Sequence, residues 1–216
     1  MEDNHKSTRS TFTFTSSGFP RSIDTINDSL SEVADKNNLD KDKEDIKFST
    51  GWTVIQRRQT GRLNFTRSWE EYARGFGVAD DEYWVGNEVM HALTTQKDYA
   101  LRFVMEDMSS TIWEATYSQF TLSGKEDNYR IHLSGYYGNV SDGMIRCNVS
   151  AFSTVDSDND SSSSHCSLYN GGGWWYSQCH VTNLNGPYNI GMVWFSYDRQ
   201  DWIQMRSSVM MIRPKI

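Results

Sequence analysis

The sequence predicts an irregular, strand-rich fold rather than a helical bundle, and three observations carry that expectation. Eight Trp, eleven Tyr and ten Phe supply a bulky core, whereas Ala and Leu are sparse. Short runs of alternating apolar and polar residues recur, separated by Gly- or Asp-containing turns. After Gly143 this patterning gives way to polar loops studded with Gly and Trp, the texture in which binding sites are usually built. A chain of 216 residues is long enough to bury such a core.

Residues 1–48 differ from the rest, being rich in Ser, Thr, Asp and Lys and lacking Trp and Cys. Within them SIDTINDSLSEVADK places Ile23, Ile26, Leu30 and Val33 on one helical stripe, with Ser22, Asp24 and Thr25 at its start. Two readings stand: a marginal helix or disordered tail, or a short coiled coil that oligomerises the chain. NNLDKDKEDIK then reads as a charged linker. Residues 49–216 form the globular domain. There WTVIQRR alternates like a strand, and SWEEYARGFG reads as a short helix ended by Gly75 or Gly77. YALRFVMED, WEATYSQFTLS and YRIHLSGYYG follow as successive antiparallel strands.

A formal net charge of -7 disfavours a nucleic-acid partner. No apolar run reaches the roughly 18 residues of a membrane span, and the polar opening MEDNHKSTRS predicts no secretory leader. Cys166 and Cys179 flank a Gly/Trp-rich stretch, which suits a small-loop disulfide stabilising the fold by about 3 kcal/mol. Cys147 is then left over, as a buried thiol or as a handle for intermolecular pairing. Disulfide use points to an extracellular setting.

VDSDNDSSSSHC sets Asp156, Asp158 and Asp160 at alternate positions, where three carboxylates repel unless solvent or a cation offsets the charge. A solvated acidic loop and a calcium site both remain open on spacing alone. An EF-hand is excluded, because Ser161 stands where Gly belongs and Ser167 where the bidentate Glu belongs.

GWTVIQRRQTG, FTRSWEEYARGFG and EYWVGNEVMHALT come in this order, then YRIHLSGYYGNVSDG, FSTVDSDND, WWYSQCH, NLNG and MMIRP. Together, from Gly51 to Pro214, they resemble the fibrinogen C-terminal domain, in the flavour of ficolins, tachylectin-like lectins and invertebrate fibrinogen-related immune proteins. The resemblance implies an α+β fold with a twisted, mainly antiparallel central sheet, short helices and a loop-rich calcium- and ligand-binding C-terminal region. The family's first cysteine pair has no counterpart in residues 1–48, so its N-terminal subdomain is incomplete here.

The resemblance further implies calcium ligands counted back from Cys166: the carboxylates of Asp158 and Asp160 and the main-chain carbonyls of Ser162 and Ser164. This all-oxygen set suits a hard cation. It also implies a Cys166–Cys179 disulfide and a cis peptide at Gln178–Cys179, which costs about 3–4 kcal/mol. The cis geometry would turn the main-chain N–H groups of Gln178 and Cys179 toward a ligand carbonyl, with His180 beside them. Tyr188 and Trp202 are the implied aromatic walls for an acetyl methyl group. Asn170 occupies a position where the family has tyrosine, and the loop after NLNG is short, which removes part of the pocket rim. Trp174 and Trp175 are assigned to the core.

The function so implied is calcium-dependent, lectin-like recognition of acetylated glycans in innate immunity. The alternative is a secreted protein ligand of angiopoietin or tenascin type that binds a receptor or matrix protein without sugar specificity. No Ser/His/Asp or paired-carboxylate arrangement stands out, so no enzyme is expected. Asn-X-Ser/Thr triplets occur at Asn27, Asn64, Asn139, Asn148 and Asn159. A glycan on Asn159 would sit badly with tight calcium ligation.

Overall fold

A computed structural model describes residues 51–215. The helical stripe and linker expected in residues 1–48, and oligomerisation through them, lie outside the described residues.

Thr53–Arg58 forms the strand β1, with Val54, Ile55 and Gln56 buried in succession because both of its faces are covered. Helix α1 (Trp69–Arg74) is fixed locally by a capping box: Ser68 Oγ accepts from the Glu71 N–H, and the Glu71 carboxylate accepts from the Ser68 N–H at 2.9 Å. Gly75, at φ 93°, ends it by donating to the Glu71 carbonyl. Short strands β2 (Phe76–Gly77) and β3 (Tyr83–Trp84) follow. Helix α2 (Asn87–Thr94), which the sequence pattern does not announce, buries Met90 and Leu93. Its Thr94 Oγ1 accepts from the Leu122 N–H at 3.1 Å, pinning it to the sheet.

The three expected consecutive strands are β4 (Tyr99–Asp107), β5 (Ile112–Leu122) and β6 (Ile131–Gly138). Beyond them lie helix α3 (Cys166–Asn170) and strands β7 (Thr182–Asn183), β8 (Val193–Ser196) and β9 (Asp201–Pro214). The main sheet runs β2-β3-β1-β9-β4-β5-β6, with every pair antiparallel. The last strand is therefore central: Val209 of β9 faces Arg57 of β1 on one side and Val104 of β4 on the other. The N-terminal end of β9 pairs instead with β8, which carries β7, so the sheet projects a small ribbon toward the loop-rich region. The architecture is the expected α+β one.

An aromatic cluster joins sheet and loops. Tyr72, Phe152, Trp175 and Trp174 follow one another at centroid distances of 5.1, 5.2 and 5.3 Å. Gly173 passes so close that a Cβ there would lie 2.7 Å from the rings of both Phe152 and Tyr72. Trp174 and Trp175 are fully buried, as their core assignment requires. Buried Arg58 reaches from β1 into the loops, donating to the carbonyls of Leu184 and Gly186 at 3.1 and 3.0 Å. Buried Glu82 collects main-chain N–H groups from Gln59, Thr60, Gly61 and Leu63. Burial works against its ionisation, yet these donors outweigh it and hold the carboxyl at about 2.

Candidate functional site

Cys166 and Cys179 form a disulfide with Cα atoms 5.0 Å apart. The bridge joins the start of α3 to the residue before His180, so the acidic loop and the ligand region share one covalent brace. Cys147 is free and fully buried, its thiol pushed up to about 12 by desolvation. It is therefore the buried thiol of the two readings, not a handle for intermolecular pairing.

A cleft of about 200 Å³ opens beside the bridge, lined by Asn170, His180, Asn183, Ile190, Gly191, Val193 and Trp202. Three of the expected ligand residues, Asn170, His180 and Trp202, thus come together. Trp202 packs on His180 and Phe195 at 5.4 and 5.2 Å between centroids. Asn170 Nδ2 donates to the Cys166 carbonyl at 2.8 Å, while no described residue donates to its Oδ1. His180 Nδ1 is buried with no hydrogen-bond partner among the described residues. Burial lowers this histidine to about 4, so the imidazole is neutral at pH 7. No lining side chain is then charged, and two apolar side chains stand exposed on its rim: Ile190 is 77% exposed and Trp202 44%.

Other expected ligand residues lie elsewhere. Tyr188 is half-buried against Gly61, whose Cβ would meet its ring, and donates to the Gln59 carbonyl at 2.8 Å, so it does not line the cleft. Gln178 is exposed. The cis bond is a correction: no peptide among the described residues is cis. The chain instead reverses with Cys179 at φ 57°, where the Ser177 N–H donates to the Cys179 carbonyl at 2.9 Å. A left-handed residue costs about 1–3 kcal/mol against about 3–4 for a cis bond. Ile190, Asn183, Gly191 and Val193 were missed, because nothing local distinguishes an exposed rim isoleucine from a core one.

The acidic loop is ordered by its own side chains. Asp160 accepts from the Ser162 N–H at 2.8 Å and from the Cys166 N–H at 2.9 Å, tying the loop to the start of α3. Burial, together with the facing Asp158 carboxylate, raises Asp160 above its ordinary value. No described Lys or Arg forms an ion pair with either aspartate. The carbonyls of Ser162 and Ser164 accept no main-chain or side-chain N–H or O–H among the described residues. Two facing carboxylates and two unspent carbonyls are a donor set that fits a hard divalent cation. No group of three or more His, Cys, Asp or Glu side chains converges among the described residues, so carbonyls and water would complete any such shell. Asp156 serves a different element. Its Oδ1 accepts from Thr154 Oγ1 at 2.7 Å and from the Trp69 N–H at 2.8 Å, at the first turn of α1.

Residues 43–215 match the family model for the C-terminal globular domain of fibrinogen beta and gamma chains. Protein scabrous of Drosophila melanogaster is 43% identical over 163 residues, covering 76% of this chain but 20% of that protein. Human angiopoietin-related protein 6 is 41% identical over 174 residues, covering 76% of this chain and 37% of that protein. The chain therefore spans well under half of the curated relatives it matches. Among solved structures, lamprey fibrin D-dimer complexed with the peptide Gly-His-Arg-Pro-amide superposes with a TM-score of 0.70 at 32% identity, covering 79% of this chain and 63% of that one. Among the described residues no helix is long and apolar enough to cross a membrane.

Proposed function

This chain belongs to the family of fibrinogen C-terminal globular domains, non-enzymatic binding modules, and from that premise we propose that it is an extracellular recognition domain for a protein ligand. The cleft between His180, Ile190 and Trp202 takes an apolar anchor of that ligand. One observation carries this reading: a neutral cleft flanked by Ile190, 77% exposed, and Trp202, 44% exposed. Exposed aromatic and aliphatic side chains around a concave, uncharged site are the usual anchors of protein interfaces. An acetyl-sugar pocket is less well supplied, because Asn170 replaces a tyrosine and Tyr188 is spent on Gln59. The angiopoietin-type relative and the peptide-bound fibrin structure lean the same way.

Calcium is part of the proposal. Asp158 and Asp160, with the Ser162 and Ser164 carbonyls, hold the ion, which supplies the positive charge that two facing carboxylates lack. Because Asp160 also accepts from the Cys166 N–H, the loop keeps α3, and with it Asn170, in place beside the disulfide.

The test is binding of the labelled domain to animal cells treated with glycosidases or with protease. Binding should survive deglycosylation, vanish after proteolysis and fall with Trp202→Ala. Binding that survives proteolysis, or retention on an N-acetylglucosamine resin reversed by free acetate, would return the lectin reading instead.

A further inference from the structure

We propose that Asn64 is an N-glycosylation site, and that the three other Asn-X-Ser/Thr triplets among the described residues, at Asn139, Asn148 and Asn159, carry no sugar in the folded protein. What separates them is which carboxamide hydrogen each asparagine has already committed.

In N-glycosylation the carboxamide nitrogen attacks C1 of a lipid-diphosphate-linked oligosaccharide. A C–N bond forms, the C1–O bond breaks, the lipid diphosphate leaves, and one amide proton passes to the transferase. The product is a secondary amide, which is planar and trans, so the sugar takes the place of the hydrogen lying on the Oδ1 side.

Asn139 and Asn148 have that hydrogen in use. Asn139 Oδ1 accepts from the Glu114 N–H at 2.6 Å while its Nδ2 donates to the Ile112 carbonyl at 3.1 Å, so the amide pairs edge-on with β5. Asn148 does the same to one residue, accepting from the Leu133 N–H at 2.8 Å and donating to its carbonyl at 3.0 Å. Such two-point pairing uses the hydrogen beside Oδ1, the one the sugar would displace. Asn159 commits both hydrogens, to the Phe152 carbonyl at 2.9 Å and Ser157 Oγ at 3.1 Å, inside the half-buried acidic loop.

Asn64 is the exception. It is exposed, its Oδ1 accepts from the Thr66 N–H at 2.9 Å, and its Nδ2 donates to no described residue. The Thr66 hydroxyl is equally unengaged among the described residues. The side chain stands on a firm support: Glu82 gathers the preceding loop, and Phe65 is buried with the Arg58 guanidinium 3.9 Å over its ring. A Cβ on Gly171 would lie 3.5 Å from Thr66 Oγ1, so the sugar borders the cleft beside Asn170. Transfer precedes folding, and the fold then acts as a sieve: a sugar on any of the other three removes a bond that the native structure needs.

The experiment is secretion of the full chain from insect or mammalian cells behind a cleavable leader. The folded monomer is treated with peptide N-glycosidase in heavy-oxygen water and its peptides are mapped by mass spectrometry. The label should appear at Asn64 and be absent from Asn139, Asn148 and Asn159. Asn64→Gln and Thr66→Ala should each be secreted and lose the sugar at this position. An unlabelled Asn64, or substantial label at any of the other three in folded protein, overturns the proposal.

Discussion

His180 offers a quantitative test of the cleft, through a change of pH compared between the wild-type chain and His180→Phe. In the folded state burial lowers this imidazole from 6.5 to about 4. The unfolded chain therefore takes up a proton as pH falls below 6.5, while the native site refuses it until about 4. Stability is unaffected above 6.5, declines between 6.5 and 4, and levels off below. At pH 5 the gap of about 1.5 units costs the wild type about 2 kcal/mol relative to pH 7. Phenylalanine fills a similar volume, keeps the contact with Trp202 and buries no unpartnered nitrogen. Urea unfolding at pH 7 and pH 5 should show His180→Phe losing about 2 kcal/mol less than wild type between the two. All other titrating groups are common to both proteins and cancel. Equal losses in the two proteins would mean that His180 is solvated, and that its imidazole is not held neutral by burial.

Asp160→Asn, and separately Asp158→Asn, should abolish any calcium-dependent rise in melting temperature. In wild type that rise corresponds to about 2.7 kcal/mol at a hundredfold excess over Kd, and an undiminished rise in both variants would place the ion elsewhere. Glu82→Gln should destabilise by about 3 kcal/mol at pH 7, because the native carboxyl sits at about 2 against an ordinary 4.5. The wild-type contribution is complete above 4.5 and is lost as pH falls toward 2, so the two unfolding curves should converge in acid. Parallel curves would contradict this.

Much of the scaffold was legible because its causes are local. Ser68 and Glu71 sit three apart in SWEEYAR and form the capping box that starts α1. YALRFVMED, with Ala100, Leu101, Phe103, Val104 and Met105 buried on both faces, gives β4 its full length. The central place of β9 was not legible, since its partners β1 and β4 lie more than a hundred residues earlier and nothing near Val209 names them. Asp156 shows the same limit at the site. In sequence it belongs with Asp158 and Asp160, yet its carboxylate serves the Trp69 N–H, 87 residues away. For Tyr188 the resemblance implied a pocket wall, but Gly61, which lacks a Cβ, leaves a seat for its ring on another loop. Family spacing located Asn170, His180 and Trp202 around one cleft, while the rim residue Ile190 emerged only from the folded chain.

The central claim is that this cleft is where a protein ligand docks. A photo-crosslinking benzoylphenylalanine placed at Ile190, on the rim, tests it against the same group at Tyr137, which is 59% exposed on β6, three strands from β9. Irradiation on cells should join the position-190 protein to a discrete polypeptide and leave the position-137 protein free, and excess unlabelled wild-type domain should suppress the product. Crosslinking that is absent at 190, or equal at both positions, would contradict it.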